Sequence, residues 1–510
     1  MFDWKQQFSG WKRKISFAGV ALVLLVVVAF FLAYLLSNIS TTKPHKEPQW
    51  QQALSLLIAV ALGYVLVQAS YGFGAHFRVL YKQQYELVDG SELNEAERKT
   101  ALTKNNAIPQ YKTLQAHALM LSVSTFLFSV LYITDKAAGW GHYSPEASPM
   151  TISILLGGFL FGLGMQLGDA CASGTLFLIG SGSLWAVFLL IFFVCGSTIA
   201  TALQSAGGGV WNIGFPKHTG LSLLFPGTFL KKSYGITFFE THAWLQYVVA
   251  VVAVIIQMGI LIGIVIGVHY YNKKKLKSSG SEEETTGLIN GDEVKAPSKS
   301  NMVSNFLFRV MFGPWDLMTG GVALAILNFL FLLVTAHPMG LTGPFALIGS
   351  QILNAIAPGL EVNKWSAWKG TDLPKANVIG NLNFILDYGI VLGALIAALM
   401  KGKFPSFLDG VSFKKDNTEP FSVKNLLAKI FAPIYNNVGI IVAKIIGGIL
   451  MGIGAKFGYG CNIGGYFSGV SCFSIHGYVW IIMALMGGYI GAVVRPMFGY
   501  KKRKVACHVC

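Results

Sequence analysis

The chain has 510 residues, of which 53% are hydrophobic and 12% are charged, and its formal net charge is +16. Soluble proteins usually carry about twice this share of charged residues, so the composition excludes a set of water-soluble domains. The apolar residues occur in runs of about twenty, which is the length that a helix needs to cross a bilayer. The composition therefore predicts an all-α polytopic membrane protein.

Ten apolar runs follow one another along the chain, and each predicts one membrane-spanning helix. The runs lie at residues 15–37, 52–70, 113–133, 150–167, 184–205, 244–268, 316–335, 383–400, 438–457 and 477–494. The first run is too long for the core of a cleavable signal peptide, so we interpret it as a transmembrane helix.

The Lys and Arg residues are distributed unevenly between the two sides of the membrane that these runs define. Of the 39, 28 lie in stretches on the same side as the N-terminus and nine lie in loops on the other side. Cytoplasmic loops of membrane proteins carry such an excess, so both termini are predicted to be cytoplasmic. The same asymmetry explains the basic net charge, and nucleic acid is therefore not expected as a partner.

Two glycine-rich segments in different halves of the chain align without a gap. Residues 157–174 match residues 447–464 at a constant offset of 290, and Cys171 falls on Cys461. In the predicted topology the first segment crosses toward the cytoplasm and the second crosses away from it. The halves are therefore predicted to be inverted repeats, which are typical of transporters with substrate sites near the middle of the membrane.

The repeat predicts six consecutive segments. They are an additional N-terminal helix and loop (1–51), the first repeat (52–243), a linker helix (244–271), a disordered cytoplasmic loop (272–302), the second, inverted repeat (303–500) and a cytoplasmic tail (501–510). The 272–302 loop is polar and carries charges in blocks, which is typical of disorder. Cys507 and Cys510 in the tail lack the further ligands of a closed zinc site, and no cofactor or metal is predicted.

Each repeated segment is predicted to contain a broken helix just before its cysteine. The helices are expected to end at Gly168 and Gly458, where polar residues follow the glycine pattern. Backbone that is not helical at membrane depth is tolerated only where it is buried or lines a cavity. The breaks therefore predict a permeation path between the two halves.

The residues after the breaks favour a negatively charged substrate. Ser173 and Asn462 suit the N-cap positions of two short helices, whose free N–H groups attract anions. Lys456 lies one helical turn before Cys461 and adds positive charge, whereas its repeat partner is Gln166. The two sites are therefore not chemically equal.

Other polar residues within the apolar runs have two interpretations each. His117, Asp169 and Asp387 either carry a proton along the path or satisfy structural hydrogen bonds in the bundle interior. Cys195 and Cys472 are expected to pack as small hydrophobic side chains.

The motif from Gly162 through Cys171 to Phe177 has a partner in the motif from Gly460 through Cys461 to Gly477. These paired motifs resemble the signatures of the YeeE/YedE sulfur-transport family. The resemblance covers roughly residues 55–500 without the 272–302 loop. The chain departs from the family pattern at Ala170, a position where the family commonly has glycine.

The resemblance implies a permease rather than an enzyme, placed in the bacterial inner membrane and specific for thiosulfate or a related sulfur anion. In that family, cysteine thiols along a narrow path contact the substrate, and the motif match gives this role to Cys171 and Cys461. Thiols are weak donors that suit a polarisable sulfur acceptor. The lipid bilayer and a cytoplasmic sulfur-accepting protein are the further partners expected. The candidate substrate-binding residues are Cys171, Cys461, Ser173, Gly174, Asn462, Gly464 and Lys456.

Three alternatives stay open at this point. The same fold could carry a selenium compound or another sulfur species. The cysteines could instead exchange disulfides in a membrane thiol-redox protein, or they could be structural parts of a channel-like protein.

Overall fold

The computed structural model describes residues 49–81, 110–207, 214–215, 220–278, 315–369, 372–373, 376–400 and 438–500. The predicted first span at 15–37, residues 279–302 of the predicted loop and the tail with Cys507 and Cys510 lie outside the described residues.

The first half of the described chain consists of long apolar helices interrupted by short ones. They are α1 (Gln49–Gln68), α2 (Phe73–Leu80), α3 (Gln110–Ala138), α4 (Ile152–Gly168), α5 (Ala172–Gly180), α6 (Leu184–Ala206) and α7 (Pro226–Tyr234). Two short strands, β1 (Met150–Thr151) and β2 (Gly214–Phe215), pair antiparallel outside the helical bundle. Helix α8 (Ala243–Ser278) then leads to the second half and continues beyond Tyr271, the predicted end of the linker helix.

The second half repeats this alternation of long and short elements. It consists of α9 (Leu317–Thr335), α10 (Gly343–Ile356), α11 (Leu382–Met400), α12 (Val438–Phe457), a π-helix (Asn462–Ser468) and α13 (Ile475–Val494). Three 3-10 turns between Pro358 and Trp368 connect α10 to α11.

Nine helices in the described part of the chain are long and apolar enough to cross a membrane, and they match the second to tenth predicted spans. Helix α10 and the turns after it form a further apolar pair that is bent by 116°. The all-α polytopic class is therefore confirmed. Helix α8 keeps most of its apolar side chains exposed, as expected for a helix that faces lipid.

The packing of the helices follows the repeat. Helix α4 packs on α13, and its repeat partner α12 packs on α6. Helix α1 packs on α11 in the same way as α9 packs on α3. Helices α4 and α12 also pack on each other, so the two halves meet along their glycine-rich segments.

Glycines allow α4 and α12 to approach backbone to backbone. A methyl group on Gly164 would lie 2.6 Å from the carbonyl oxygen of Gly447, and one on Gly454 would lie 2.7 Å from that of Gly157. The start of each helix thus opposes the end of the other, so the equivalent helices run antiparallel. This is the arrangement that an inverted repeat requires, and only residues without a side chain permit such close contact.

The π-helix accommodates one extra residue in the second half. Cys171 and Cys461 differ by 290 positions, whereas Ser183 and Ser474, which precede α6 and α13, differ by 291. A π-helix inserts one residue without ending the helix, and such bulges are frequent at functional sites. The repeat is therefore asymmetric in the segment that follows Cys461.

Candidate functional site

Four long helices in the described chain end within two residues of a residue other than glycine that has left-handed backbone geometry. The φ angle is 49° at Ser70, 66° at Asp169, 60° at Ala336 and 53° at Tyr459. Asp169 and Tyr459 are again 290 positions apart, and a short helical segment follows each of the four breaks. The helices α4 and α12 thus end at the places that the glycine pattern predicts.

The breaks approach one another in pairs. A methyl group on Gly74, in the first turn of α2, would lie 3.5 Å from the amide nitrogen of Cys171. In the other half, a methyl group on Gly464 would lie 3.5 Å from the Cα atom of Gly340. Each half therefore places a glycine of one broken helix against the cysteine segment of another.

Cys171 is buried and is itself the N-cap residue of α5. Its sulfur accepts a hydrogen bond from the amide of Gly174 at 3.2 Å and lies 3.5 Å from the hydroxyl oxygen of Ser173. The prediction that Ser173 is the N-cap residue is therefore wrong, because the helix begins at Ala172 and a cysteine sulfur can accept the orphan N–H group. Cys171, Ser173 and Gly174 nevertheless form one buried local unit.

Cys461 takes the equivalent position before the π-helix and is also buried. Its sulfur faces the amides of Ile463 and Gly464 without the geometry of a capping bond. The prediction that Asn462 is an N-cap residue is wrong, because Asn462 is the first residue of the π-helix. Its side-chain nitrogen instead donates to the sulfur of Met165 in the other half at 3.3 Å, while its side-chain oxygen is buried without a hydrogen-bond partner among the described residues.

A cavity of about 670 Å³, which we call the vestibule, opens beside the second cysteine segment. Its lining includes Lys456, Gly464 and further polar side chains, namely Asn377, Asn381, Asn383, Ser468 and His476. An exposed ion pair joins two other lining residues, His337 and Glu146, at 2.5 Å. The vestibule thus connects solvent with the π-helix and offers one lysine and several neutral donors.

The predicted site residues fall into two groups in the structure. Lys456 and Gly464 line the vestibule, and the Lys456 ammonium lies 5.9 Å from the centre of the Trp368 ring. Cys171, Cys461 and Asn462 lie deeper, in the buried cluster where α5 packs against the π-helix.

Histidine and aromatic side chains surround this deeper region on the side of α3. His117 lies 3.1 Å from His76 through their ring nitrogens and 3.5 Å from the hydroxyl of Tyr466. Phe73 packs edge-on against both His117 and Tyr466. His117 therefore faces the bundle interior and belongs to a hydrogen-bonded chain of three side chains.

The carboxyl groups of Asp169 and Asp387 have opposite environments. Asp169 pairs with Arg78 and Arg495, each at 2.7 Å. Asp387 on α11 is buried, and neither of its oxygens has a hydrogen-bond partner among the described residues. Ion pairing makes Asp169 unsuitable as a proton carrier, whereas an uncompensated buried carboxyl group is costly and favours a functional role for Asp387.

The remaining cysteines differ from the expectation in one case. Cys472 is buried, contacts the Tyr132 hydroxyl at 3.4 Å and also lines the vestibule. Cys195 is exposed on α6 rather than packed in the interior, because its side of this helix is not covered by another described helix.

Several polar contacts at the path were not predicted from the sequence. Asn328 on α9 donates to the hydroxyl of Ser468 and accepts from the amide of Met339, so it joins the π-helix to the third break. Its position in an apolar helix is a signal that was available, because a polar residue in a membrane span marks an interior face. The role of Arg78 gave no such signal, because it is one of the many basic residues from which the topology was predicted.

The fold and these breaks define a polytopic α-helical membrane protein in which two halves meet at broken helices, as in secondary transporters. The family model described as "Sulphur transport" matches residues 93–409 and 425–490. The chain therefore belongs to the sulphur transport family, a family of transporters rather than enzymes, and the family resemblance is confirmed.

Curated relatives agree with this assignment. The chain is 23% identical to the "Thiosulfate transporter TsuA" of Spirochaeta thermophila over 402 residues, which cover 78% of this chain and 90% of the relative. It is 25% identical to the "Probable transporter YedE" of Escherichia coli and 24% identical to that of Salmonella typhimurium, each over 186 residues. Those two matches cover 36% of this chain and 39% of the relatives.

Proposed function

We propose that the protein takes up thiosulfate and passes it between its two halves along the path that contains Cys171 and Cys461. The observation that carries the proposal is the pair of buried free cysteines at equivalent helix breaks, of which the second belongs to the segment beside a vestibule that a lysine lines. A relative named as a thiosulfate transporter over most of its length supports this substrate.

The chemistry of the path suits an anion that carries a terminal sulfur. Lys456 and the neutral donors of the vestibule attract and orient the anion. The two thiols then offer weak S–H hydrogen bonds to the polarisable sulfur atom. Weak contacts at several successive positions permit release as well as capture, which conduction requires.

The proposed orientation places the vestibule outside the cytoplasm. Glu146, His337 and Asn381, which line it, belong to loops on the side poor in Lys and Arg. Both termini would then face the cytoplasm of a bacterial cell, where a sulfur-accepting protein would remove the product. Mapping with reporter fusions would contradict this orientation by locating residues 279–302 outside.

Uptake of radiolabelled thiosulfate by vesicles that contain the protein tests the proposal, with sulfate and selenite as competitors. We expect uptake that excess unlabelled thiosulfate inhibits and that sulfate does not. Cys171→Ala and Cys461→Ala should each abolish uptake at normal protein level, whereas Cys195→Ala, at an exposed position, should leave it unchanged. Strong inhibition by selenite would indicate that the substrate is a selenium compound. Normal uptake by both Cys171→Ala and Cys461→Ala would contradict a path along the cysteines.

A further inference from the structure

A cluster of charged residues lies at the end of the α4–α12 pair that is opposite to the vestibule. It consists of Arg78 on α2, Asp169 after α4, Lys444 on α12 and Arg495 after α13, and we call it the Asp169 cluster. The four residues come from four elements, so the fold assembles the cluster from distant parts of the sequence.

Both arginines converge on one oxygen atom of Asp169. The Nη2 atoms of Arg78 and Arg495 each lie 2.7 Å from Oδ1 of Asp169. The side chains are 16%, 14% and 32% exposed for Arg78, Arg495 and Asp169, respectively. The cluster is therefore reachable by an ion from solvent while the guanidinium groups are held in place.

Capping of helix α4 explains only part of this arrangement. Arg495 Nη1, Lys444 Nζ and the Tyr500 hydroxyl donate to three carbonyl groups at the end of α4, at 2.7, 2.9 and 2.6 Å. Burial raises the pKa of Tyr500 to about 12, so its hydroxyl stays protonated and remains a donor. These donors satisfy the helix end, so the contacts of Arg78 and Arg495 with Asp169 are additional to it.

The charge of the cluster matches that of a dianion. Three cationic side chains and the Asp169 carboxylate give the cluster as a whole an excess of two positive charges, which a dianion would neutralise while Asp169 stays nearby. Paired guanidinium groups present parallel N–H donors that fit the oxygens of an oxyanion as well as they fit a carboxylate. A sulfur oxyanion in place of the Asp169 carboxylate would therefore find complementary charge and donors.

The same residues also hold the path closed next to Cys171. Arg78 Nε donates to the Gln166 side-chain oxygen at 2.9 Å, and Gln166 Nε2 donates to the carbonyl oxygen of Gly74 at 3.1 Å. Gly74 lies against Cys171, so α2 is fastened over the cysteine through Arg78. At the equivalent break in the other half, Tyr459 replaces Asp169 and lines the open vestibule.

We propose that Arg78 and Arg495 form a second anion site, which the Asp169 carboxylate occupies in this state and which a small sulfur oxyanion occupies on its way out. Displacement of Asp169 removes the ion pair between Arg78 and the end of α4, so arrival of the anion loosens α2 at this end, where the remaining links run through Gln166. The inference rests on the proposed passage of the anion past Cys171.

The test compares how fast oppositely charged thiol reagents of similar size modify Cys171 in the purified full-length protein. The reagents are an anionic sulfonatoethyl and a cationic trimethylammonioethyl methanethiosulfonate, and mass spectrometry of the Cys171 peptide measures each rate. Asp169→Asn removes the negative charge of the carboxylate that occupies the site. In this variant we expect the anionic reagent to modify Cys171 about tenfold faster, whereas the rate with the cationic reagent should not increase. Millimolar thiosulfate should slow the anionic reaction at Cys171 in this variant relative to the reaction at the exposed Cys195, a ratio that corrects for reagent consumed by thiosulfate itself.

Two further variants make the result specific. Arg78→Gln combined with Asp169→Asn should abolish the preference for the anionic reagent. Lys364→Gln is the matched control and should behave as the unaltered protein. It removes an exposed ion pair with Glu361 at 2.6 Å, distant in sequence from the Asp169 cluster. Asp169→Ser is the second variant at the key position and should show the same preference.

An equal increase in the modification rates of both reagents would overturn the anion site. It would show that Asp169 only holds α2 in place and does not occupy a site selective for anions. Unchanged rates for both reagents in folded Asp169→Asn would overturn it as well. The assay measures modification of Cys171 and requires no transport. Loss of thiosulfate uptake in every preparation would therefore contradict the proposed function without changing how the modification rates are interpreted.

Discussion

At the residue scale, Cys171 has a structural function and a proposed transport function, and the substitution Cys171→Ser separates the two. Its sulfur caps α5 by accepting the Gly174 amide, and its thiol is the proposed donor to the substrate. A serine hydroxyl is a better N-cap than a thiol, whereas an alanine leaves the amide without a partner.

We predict that Cys171→Ala lowers the stability of the protein by about 1 kcal/mol and that Cys171→Ser does not. Both variants should lose thiosulfate uptake, because a hydroxyl is a poorer match for a sulfur acceptor. Thermal unfolding in detergent and vesicle uptake measure the two effects on the same preparations. Normal uptake by Cys171→Ser would show that the residue serves only as a helix cap.

The sequence predicts which cysteines matter but not how each one is placed. The shared offset of 290 singles out Cys171 and Cys461, and both lie at the helix breaks. The assignment of Ser173 as the N-cap was two residues out, because the boundary of a short helix depends on which side chain actually accepts the first free amide. Contacts such as Arg78 with Asp169, 91 positions apart, cannot be read from local pattern at all.

At the scale of elements, the close contact of α4 with α12 is one of the contacts that join the two halves. Gly164 and Gly454 lie within the contact, each against the backbone of the other helix. By contrast, Gly263 on α8 has no described atom within 4 Å of the place where a methyl group would lie.

We predict that Gly164→Ala lowers stability by about 1–3 kcal/mol and reduces uptake, since the methyl group would meet the Gly447 carbonyl oxygen and force the helices apart. Gly263→Ala is the matched control and should be neutral or slightly stabilising, because alanine favours the helix and meets nothing. Thermal unfolding of both variants checks this. Equal melting temperatures would mean that the halves are not held together at this contact.

Most of the elements could be predicted because their signals are local. Apolar runs of about twenty residues give the spans, and the glycine pattern gives the ends of α4 and α12. The π-helix was not predicted, because the one-residue difference between the halves becomes visible only when Ser183 and Ser474 are known to begin equivalent helices. The vestibule likewise depends on the loop at Asn381, which carries no repeat signal.

At the scale of the whole molecule, the membrane potential opposes the proposed uptake. Thiosulfate carries two negative charges, and each costs about 2.3 kcal/mol to move into an interior that is negative by about 100 mV. The total of about 4.6 kcal/mol corresponds to more than a thousandfold in concentration, at about 1.4 kcal/mol per tenfold. Net uptake therefore requires either consumption of the anion inside or entry of compensating protons.

We predict that proteoliposomes with an inside-negative potential and no pH gradient do not accumulate thiosulfate above the outside concentration. Enclosing a thiosulfate-consuming enzyme should restore net uptake if flow is driven by consumption. An inward proton gradient should restore it if protons enter with the anion, and Asp387→Asn should then abolish only this gain, because Asp387 is the buried carboxyl group without a described partner. Accumulation against the potential without either supply would contradict both mechanisms.

Protection of the two motif cysteines by substrate tests the central claim most directly, because it reports contact between thiosulfate and the path itself. The purified protein would be treated with a thiol-alkylating reagent in the presence of thiosulfate or of sulfate at equal ionic strength. Mass spectrometry would measure the modification of Cys171, Cys461 and the exposed Cys195. We predict that thiosulfate slows modification of Cys171 and Cys461, that sulfate does not, and that neither anion affects Cys195. Modification of Cys171 and Cys461 at the same rate in thiosulfate as in sulfate would contradict a path along these thiols.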